Sequence, residues 1–186
     1  LSYLIMTCLM IEETVKSGDY KKTDSGEIMW YGFGDGSGQG IGGNKALEIE
    51  VIPYFHNSWD GNNNYGGIDG PDIWRMTVDD QELVNATFSN SPCNPLYCLF
   101  QSYPIKYAIV NNPPMTDAVK IFEGTEDNCS GINTSSMYRI VKTISHTKST
   151  VQLSFRDFLV QTNVSNPICD ESWSMASIIV KVINTP

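Results

Sequence analysis

The sequence predicts an all-β protein, an antiparallel two-sheet sandwich of jelly-roll type. Three observations lead there. Short segments alternate apolar and polar residues with a period of two, the pattern of half-buried strands. Gly, Asn, Asp and Pro clusters punctuate those segments at short intervals, as turns require. Sustained helical spacing is missing: only Phe155–Thr162 hints at it, over a short stretch. Many strands with frequent turns favour a sandwich or jelly roll. A chain of 186 residues fits one domain and can bury a full core.

The elements follow in order. Leu1–Ile11, LSYLIMTCLMI, is nearly all apolar. It is too short to span a bilayer as a helix. No basic region precedes it and no A-x-A-like site follows, so it does not match a signal peptide, and Cys8 lacks a good lipobox. The missing initial Met reads as a processed or partial chain. What remains is a strand buried on both faces, either in its own sandwich or inserted into a neighbour. Leu4, Ile5, Met6, Cys8, Leu9 and Ile11 are then the assembly residues. Glu12–Thr23 is polar and Gly-containing and reads as a linker. Residues 1–23 therefore form an N-terminal strand and linker, and 24–186 the sandwich domain. The glycine run Gly34–Gly43 lacks the Lys-Ser/Thr of a phosphate loop and is expected to be a flexible strand connection.

Leu47, Ile49 and Val51 alternate with Ala46, Glu48 and Glu50. Trp74, Met76 and Val78 alternate with Arg75 and Thr77, and Asp79-Asp80 suits a hairpin turn before Leu83 and Val84. The segment around Tyr138–Thr143 is less clearly a strand. Val151, Leu153 and Phe155 alternate cleanly, and Ile178–Ile183 is a final β-branched run. The expected core includes Leu47, Ile49, Val51, Trp74, Met76, Leu153, Phe155 and Val180.

Between the Leu47 and Trp74 strands lies Asn57–Trp74, rich in carboxylates, amides and glycines. Asp60, Asn62 and Asn64 fall at alternate positions, followed by Asp69 and Asp72. Alternating oxygen ligands on a turning backbone suit a hard cation such as calcium. The order resembles the start of an EF-hand loop, but Tyr65 replaces the invariant Gly and Pro71 the bidentate Glu. The other reading is an Asn/Gly-rich turn closed by Asx hydrogen bonds. The candidate ligands are Asp60, Asn62, Asn64, Asp72, Asp170 and Glu171, with calcium the only cofactor in view. The expectation is that the loop and Asp170-Glu171 meet in space.

Twenty-one acidic residues against twelve basic ones give a net charge of −9. Without a Lys/Arg cluster, this argues against nucleic acid and anionic membranes. None of the five cysteines forms a C-x-x-C zinc pattern. Cys93 and Cys98 flank a tight Pro-containing loop and are expected to close a small ring; Cys129 and Cys169 are a candidate second pair. Cys8 is left as a free thiol or an intermolecular partner. Four glycosylation sequons begin at Asn85, Asn128, Asn133 and Asn163. Disulfides and sequons place the protein outside the cell or at its surface.

Catalytic signatures are missing. His56 and His146 are the only histidines, and no G-x-S-x-G, H-E-x-x-H or Cys/His pattern appears. Adjacent Asp170 and Glu171 would point to opposite faces of a strand. The expectation is a non-enzyme.

Several segments occur in a suggestive order: Ser58-Trp59-Asp60-Gly61-Asn62, Gly70-Pro71-Asp72-Ile73-Trp74, Thr87-Phe88-Ser89-Asn90, Ser102-Tyr103-Pro104, His146 and Asp170-Glu171-Ser172-Trp173. Over about Trp30–Ile183 the chain resembles secreted β-sandwich modules of large extracellular and cell-surface microbial proteins. The resemblance implies a lectin-like or carbohydrate-binding-module-like jelly roll. The chain departs from that pattern at Asn57, where Asp is usual, and at Ser174 and Ala176-Ser177, where Gly and Asp-Asn are usual. If those acids help hold a cation, this copy has a weaker site. Trp59, Trp74 and Trp173 read either as core residues pinning loop ends or as a platform for a sugar ring.

Two functions fit. One is a structural subunit of a head-to-tail filament or surface assembly, its N-terminal strand completing the sheet of the next copy. The alternative is a glycan-binding or adhesion module. The apolar segment favours the first, because a monomer gains nothing from exposing it.

Overall fold

The computed structural model describes residues 19–22, 28–33, 45–64, 66, 70–123, 134–148, 150–160 and 171–184. Among them are ten strands and no helix. They are β1 (Asp19–Lys22), β2 (Ile28–Phe33), β3 (Lys45–Asn57), β4 (Ile73–Val78) and β5 (Gln81–Thr87), then β6 (Lys120–Glu123), β7 (Thr134–Met137), β8 (Ile140–Ser145), β9 (Thr150–Phe158) and β10 (Glu171–Asn184). One sheet runs β1-β2-β9-β4-β5 and the other β10-β3-β7-β6, with β8 also paired to β3. Every pairing is antiparallel. The protein is a two-sheet β-sandwich.

Local sequence explains the framework. In β3, Leu47, Ile49, Val51, Pro53 and Phe55 are buried while Glu48, Glu50, Ile52, Tyr54 and His56 are half-buried. All eight residues expected in the core are buried. One flank of β3 pairs with β10 along its whole length, from Lys45–Asn184 to Asn57–Glu171. The other flank is divided: β8 pairs from Ala46 to Val51 and β7 from Tyr54 to His56. Pro53 sits at the division. Lacking an N–H, it cannot continue a ladder, although its carbonyl still accepts from Tyr138 N at 3.0 Å. The register of β10 also slips opposite it, between Met175 and Ser177. The β4–β5 hairpin turns at Asp79-Asp80 as expected, with φ of 46° and 67°. Positive φ at both central residues is the geometry that matches strand twist in a two-residue hairpin.

One expectation is corrected. Asp19–Lys22, assigned to the linker, pairs with β2 as a strand. The helical hint at Phe155 is a strand through Phe158. Phe155, Phe158 and Leu159 mimic helical spacing because Phe158 lies on the outer face, where the Arg75 and Arg156 guanidiniums cover its ring at 4.6 and 4.9 Å. The assembly residues Leu4, Ile5, Met6, Cys8, Leu9 and Ile11, and the glycine run 34–43, lie outside the described residues.

The two sheets are joined by an aromatic cluster. Phe55 stacks on Phe88 at 3.9 Å between centroids and meets Trp59, Trp74 and Tyr138 edge-on. Trp74 contacts Trp173 at 5.8 Å. Trp173 Nε1 donates to Asp157 Oδ2 of β9 at 2.9 Å, so the indole binds across the sandwich. Trp59, Trp74 and Trp173 are thus core residues, at most 2% exposed. They pin loop ends to the sheets, and none is placed to stack on a sugar.

Candidate cation site and the polar frame around it

The site lies where β3 ends, β4 begins and β10 begins. Asn57 closes β3 with φ 65°, a left-handed conformation that Asn tolerates better than most residues. Its register partner is Glu171, the first residue of β10. The chain then turns through Trp59, whose Nε1 donates to Ser172 O at 2.8 Å. This delivers Asp60 beside Asp72, and Asp60 N donates to Asp72 Oδ2 at 2.5 Å. Asp72 N donates to Gly61 O at 3.0 Å, which closes the loop on itself.

Two glycines permit this path. Gly61 has φ +67°, and a Cβ there would stand 2.2 Å from Phe100 O. Gly70 has φ +63°, and its Cβ would stand 2.4 Å from Asn63 O. A side chain at either position meets backbone, which cannot swing aside.

Asp60, Asp72 and Glu171 converge: one oxygen from each lies within 4.8 Å of the others. Asp72 is 0% and Glu171 6% exposed. Calcium binds oxygens at 2.3–2.6 Å, so ligands on opposite sides of the ion stand about 4.6–5.2 Å apart. The three carboxylates fit that spacing. Asp60 follows β3, Asp72 precedes β4 across the same loop, and Glu171 opens the distant β10, so an ion held here would tie one strand end and two strand starts together.

The other expected ligands fare differently. The Asn62 carbonyl accepts from the Thr87 hydroxyl. Its Nδ2 donates to Val110 O at 3.0 Å and to Asn111 Oδ1 at 2.6 Å. That amide serves the frame rather than the acidic cluster. Asn64 is exposed, and Asp170 lies outside the described residues.

The frame is a polar network that the sequence marks only in part, through the Thr87–Asn90 and Ser102–Pro104 motifs. Asn90 is fully buried and donates from Nδ2 to the carbonyls of Phe55, Asn57 and Thr134. Thr87 and Ser102 bond reciprocally, backbone N–H to hydroxyl, at 2.9 and 2.8 Å. Gln101 Oε1 accepts from Ser89 N, Met115 N and the Tyr138 hydroxyl. Burial is the main cause that pushes the Tyr103 phenol up to about 12, and it raises Tyr138 as well. Tyr138 thereby keeps the proton that it donates to Gln101 Oε1. Nothing in local sequence marks Gln101; its role follows from a loop that crosses the end of the sandwich.

Both histidines are hydrogen-bonded within the fold. His56 bonds Ser135 and Ser174 through its two ring nitrogens. His146 Nε2 meets Asp79 Oδ2 at 2.9 Å beneath the β4–β5 turn. Burial works to raise the Asp79 carboxyl. The Gln152 N–H, with Lys148 and His146, outweighs it and holds the group below the usual carboxylate range. Cys93 and Cys98 form a disulfide; Cys129 and Cys169 lie outside the described residues. Asn85 is half-buried on β5, its Nδ2 donating to Glu82 at 2.9 Å, while Asn128, Asn133 and Asn163 lie outside the described residues.

No protein-family model, curated protein or solved structure matches this chain. No helix among the described residues is long and apolar enough to cross a membrane.

Proposed function

We infer that the protein is an extracellular structural subunit of a filament or surface assembly, built by addition of Leu1–Ile11 to a sheet edge of the neighbouring copy. The observation that carries this reading is the length of β10. It offers fourteen residues, bonded to β3 on one side, with no strand on its other side among the described residues. An edge of that length is a template for another strand. Leu1–Ile11, nearly all apolar, would supply a strand of eleven residues for that edge, and its composition calls for cover on both faces. Calcium at Asp60, Asp72 and Glu171 belongs to the same reading, as a clamp that fixes the start of β10.

The test keeps the chain whole. Leu4→Asp, Ile5→Asp and Leu9→Asp are introduced together, and assembly is followed by sedimentation velocity and negative-stain imaging. The unmodified protein is expected to form polymers and the variant to sediment as a monomer. Assemblies that survive the substitutions, or an unmodified chain that stays monomeric at high concentration, would end the strand-addition reading.

Secretion also exposes the sequons to glycosylation. Intact mass of protein from a eukaryotic secretory host is expected to fall on glycosidase treatment, through at least one of Asn85, Asn128, Asn133 and Asn163. An unchanged mass equal to the bare polypeptide counts against the extracellular assignment. Asn85 is expected to be the least modified, because its amide is held by Glu82 in a strand.

A further inference from the structure

We propose that the Cys93–Cys98 loop docks the protein onto a neutral lipid surface, with Leu96, Tyr97 and Phe100 entering the bilayer interface. These side chains are 94%, 55% and 39% exposed. No charged residue occurs from Ser91 to Ile105 in a chain whose net charge is −9. Exposed apolar side chains on an uncharged stretch suit a medium where charge is costly.

The backbone is suited to leaving water. Asn94 Oδ1 accepts from Leu96 N at 2.8 Å and Tyr97 N at 3.0 Å. Asn94 N donates to Tyr97 O at 3.0 Å. Pro92 and Pro95 carry no N–H. Five of the seven positions from Pro92 to Cys98 therefore present no free N–H to be stripped of water, and Tyr97 O is paired as well, which lowers the cost of approaching lipid. The ring is also fixed before it binds, by the disulfide and the Asn94 bonds, so little ordering cost remains. It is mounted on the buried frame: Phe100 O accepts from Asn62 N at 2.7 Å, and Gln101 pairs with Asn112 through both backbone groups.

Area and charge favour lipid over a protein partner. At 94%, 55% and 39% exposure these three side chains offer at most about 400 Å2, short of the ≈800 Å2 per partner of a standard protein interface. Interfacial insertion needs no such area, and a phenol such as Tyr97 suits the headgroup boundary. The net negative charge opposes anionic lipid, so the surface is a zwitterionic one.

The experiment floats the full-length protein with phosphatidylcholine vesicles and with phosphatidylcholine–phosphatidylserine mixtures. Binding to phosphatidylcholine is expected, weakened by phosphatidylserine. Leu96→Asp should lower the partition coefficient at least ~10-fold, about 1.4 kcal/mol, while the thermal midpoint stays unchanged. In a second variant, Tyr97→Trp, the added emission should shift to the blue with vesicles. Equal flotation of Leu96→Asp and the unmodified chain overturns the proposal, as does binding that requires phosphatidylserine. So does failure to float at any lipid concentration; if Leu96→Asp then changes the protein's own sedimentation, the loop is a protein-docking surface instead.

Discussion

Asn90→Ala is expected to destabilise the protein by about 3–5 kcal/mol, read as a fall in the urea midpoint with little change in slope. The residue is 0% exposed. Its amide serves three carbonyls, those of Phe55 and Asn57 on β3 and Thr134 on β7, at 3.0, 3.0 and 3.3 Å. Its Oδ1 accepts from Ser136 Oγ at 2.5 Å, and its backbone N–H binds Trp59 O at 3.0 Å. Ala keeps only the backbone bond. The carbonyls and the hydroxyl then lose a partner in the interior, and each loss costs more than an exposed bond would. Asn90→Asp separates donor from acceptor function: it retains an oxygen for Ser136 but has no N–H for the carbonyls. It should be at least as damaging as Ala at neutral pH. A cost below about 1 kcal/mol for Ala would mean that water replaces the amide and that the frame is not held through Asn90.

The contrast between Asn90 and Leu47 marks what local sequence can convey. Leu47, Ile49, Val51, Trp74, Met76, Leu153 and Phe155 announce their burial by alternation, because strand geometry imposes that period on any half-buried sheet. Asp79-Asp80 is legible for a similar reason, since few residues accept positive φ in a two-residue turn. Asn90, Gln101 and Ser102 announce nothing of the kind. Apart from Tyr103 O, which accepts from Gln101, the partners of their side chains lie 12 to 46 residues away, and a buried amide looks like any loop amide until the chain that crosses it is in place. Pro53 divides the pairing of β3 between β7 and β8 without ending the strand. Within the acidic loop, alternate spacing picks out Asp60, Asn62 and Asn64 together. The turn at Gly61 breaks that period and sends Asn62 to Thr87 instead.

Calcium is expected to raise the unfolding midpoint of the intact protein, and Asp72→Asn to abolish that response without lowering stability in calcium-free buffer. Three carboxylates within 4.8 Å repel one another, and two of them are nearly or wholly buried, where repulsion is least screened. An ion that binds only the folded state adds RT ln(1 + [L]/Kd). For a Kd in the ~10⁻⁴–10⁻³ M range of extracellular sites, 10 mM calcium contributes about 1.4–2.7 kcal/mol. The Asn side chain keeps an oxygen to accept the Asp60 N–H but removes one negative charge. The repulsion therefore falls as the ligand field weakens, and the two effects separate by calcium concentration. Asp60→Asn should show the same sign with a smaller calcium-free gain, since Asp60 is only half-buried. Magnesium demands tighter octahedral geometry and dehydrates reluctantly, so it should stabilise less at equal concentration. Thermal unfolding with and without calcium, on the unmodified chain and both variants, decides the matter. A midpoint indifferent to calcium, together with loss of stability in Asp72→Asn, would make the cluster a hydrogen-bonded turn in which Asp72 serves the backbone alone.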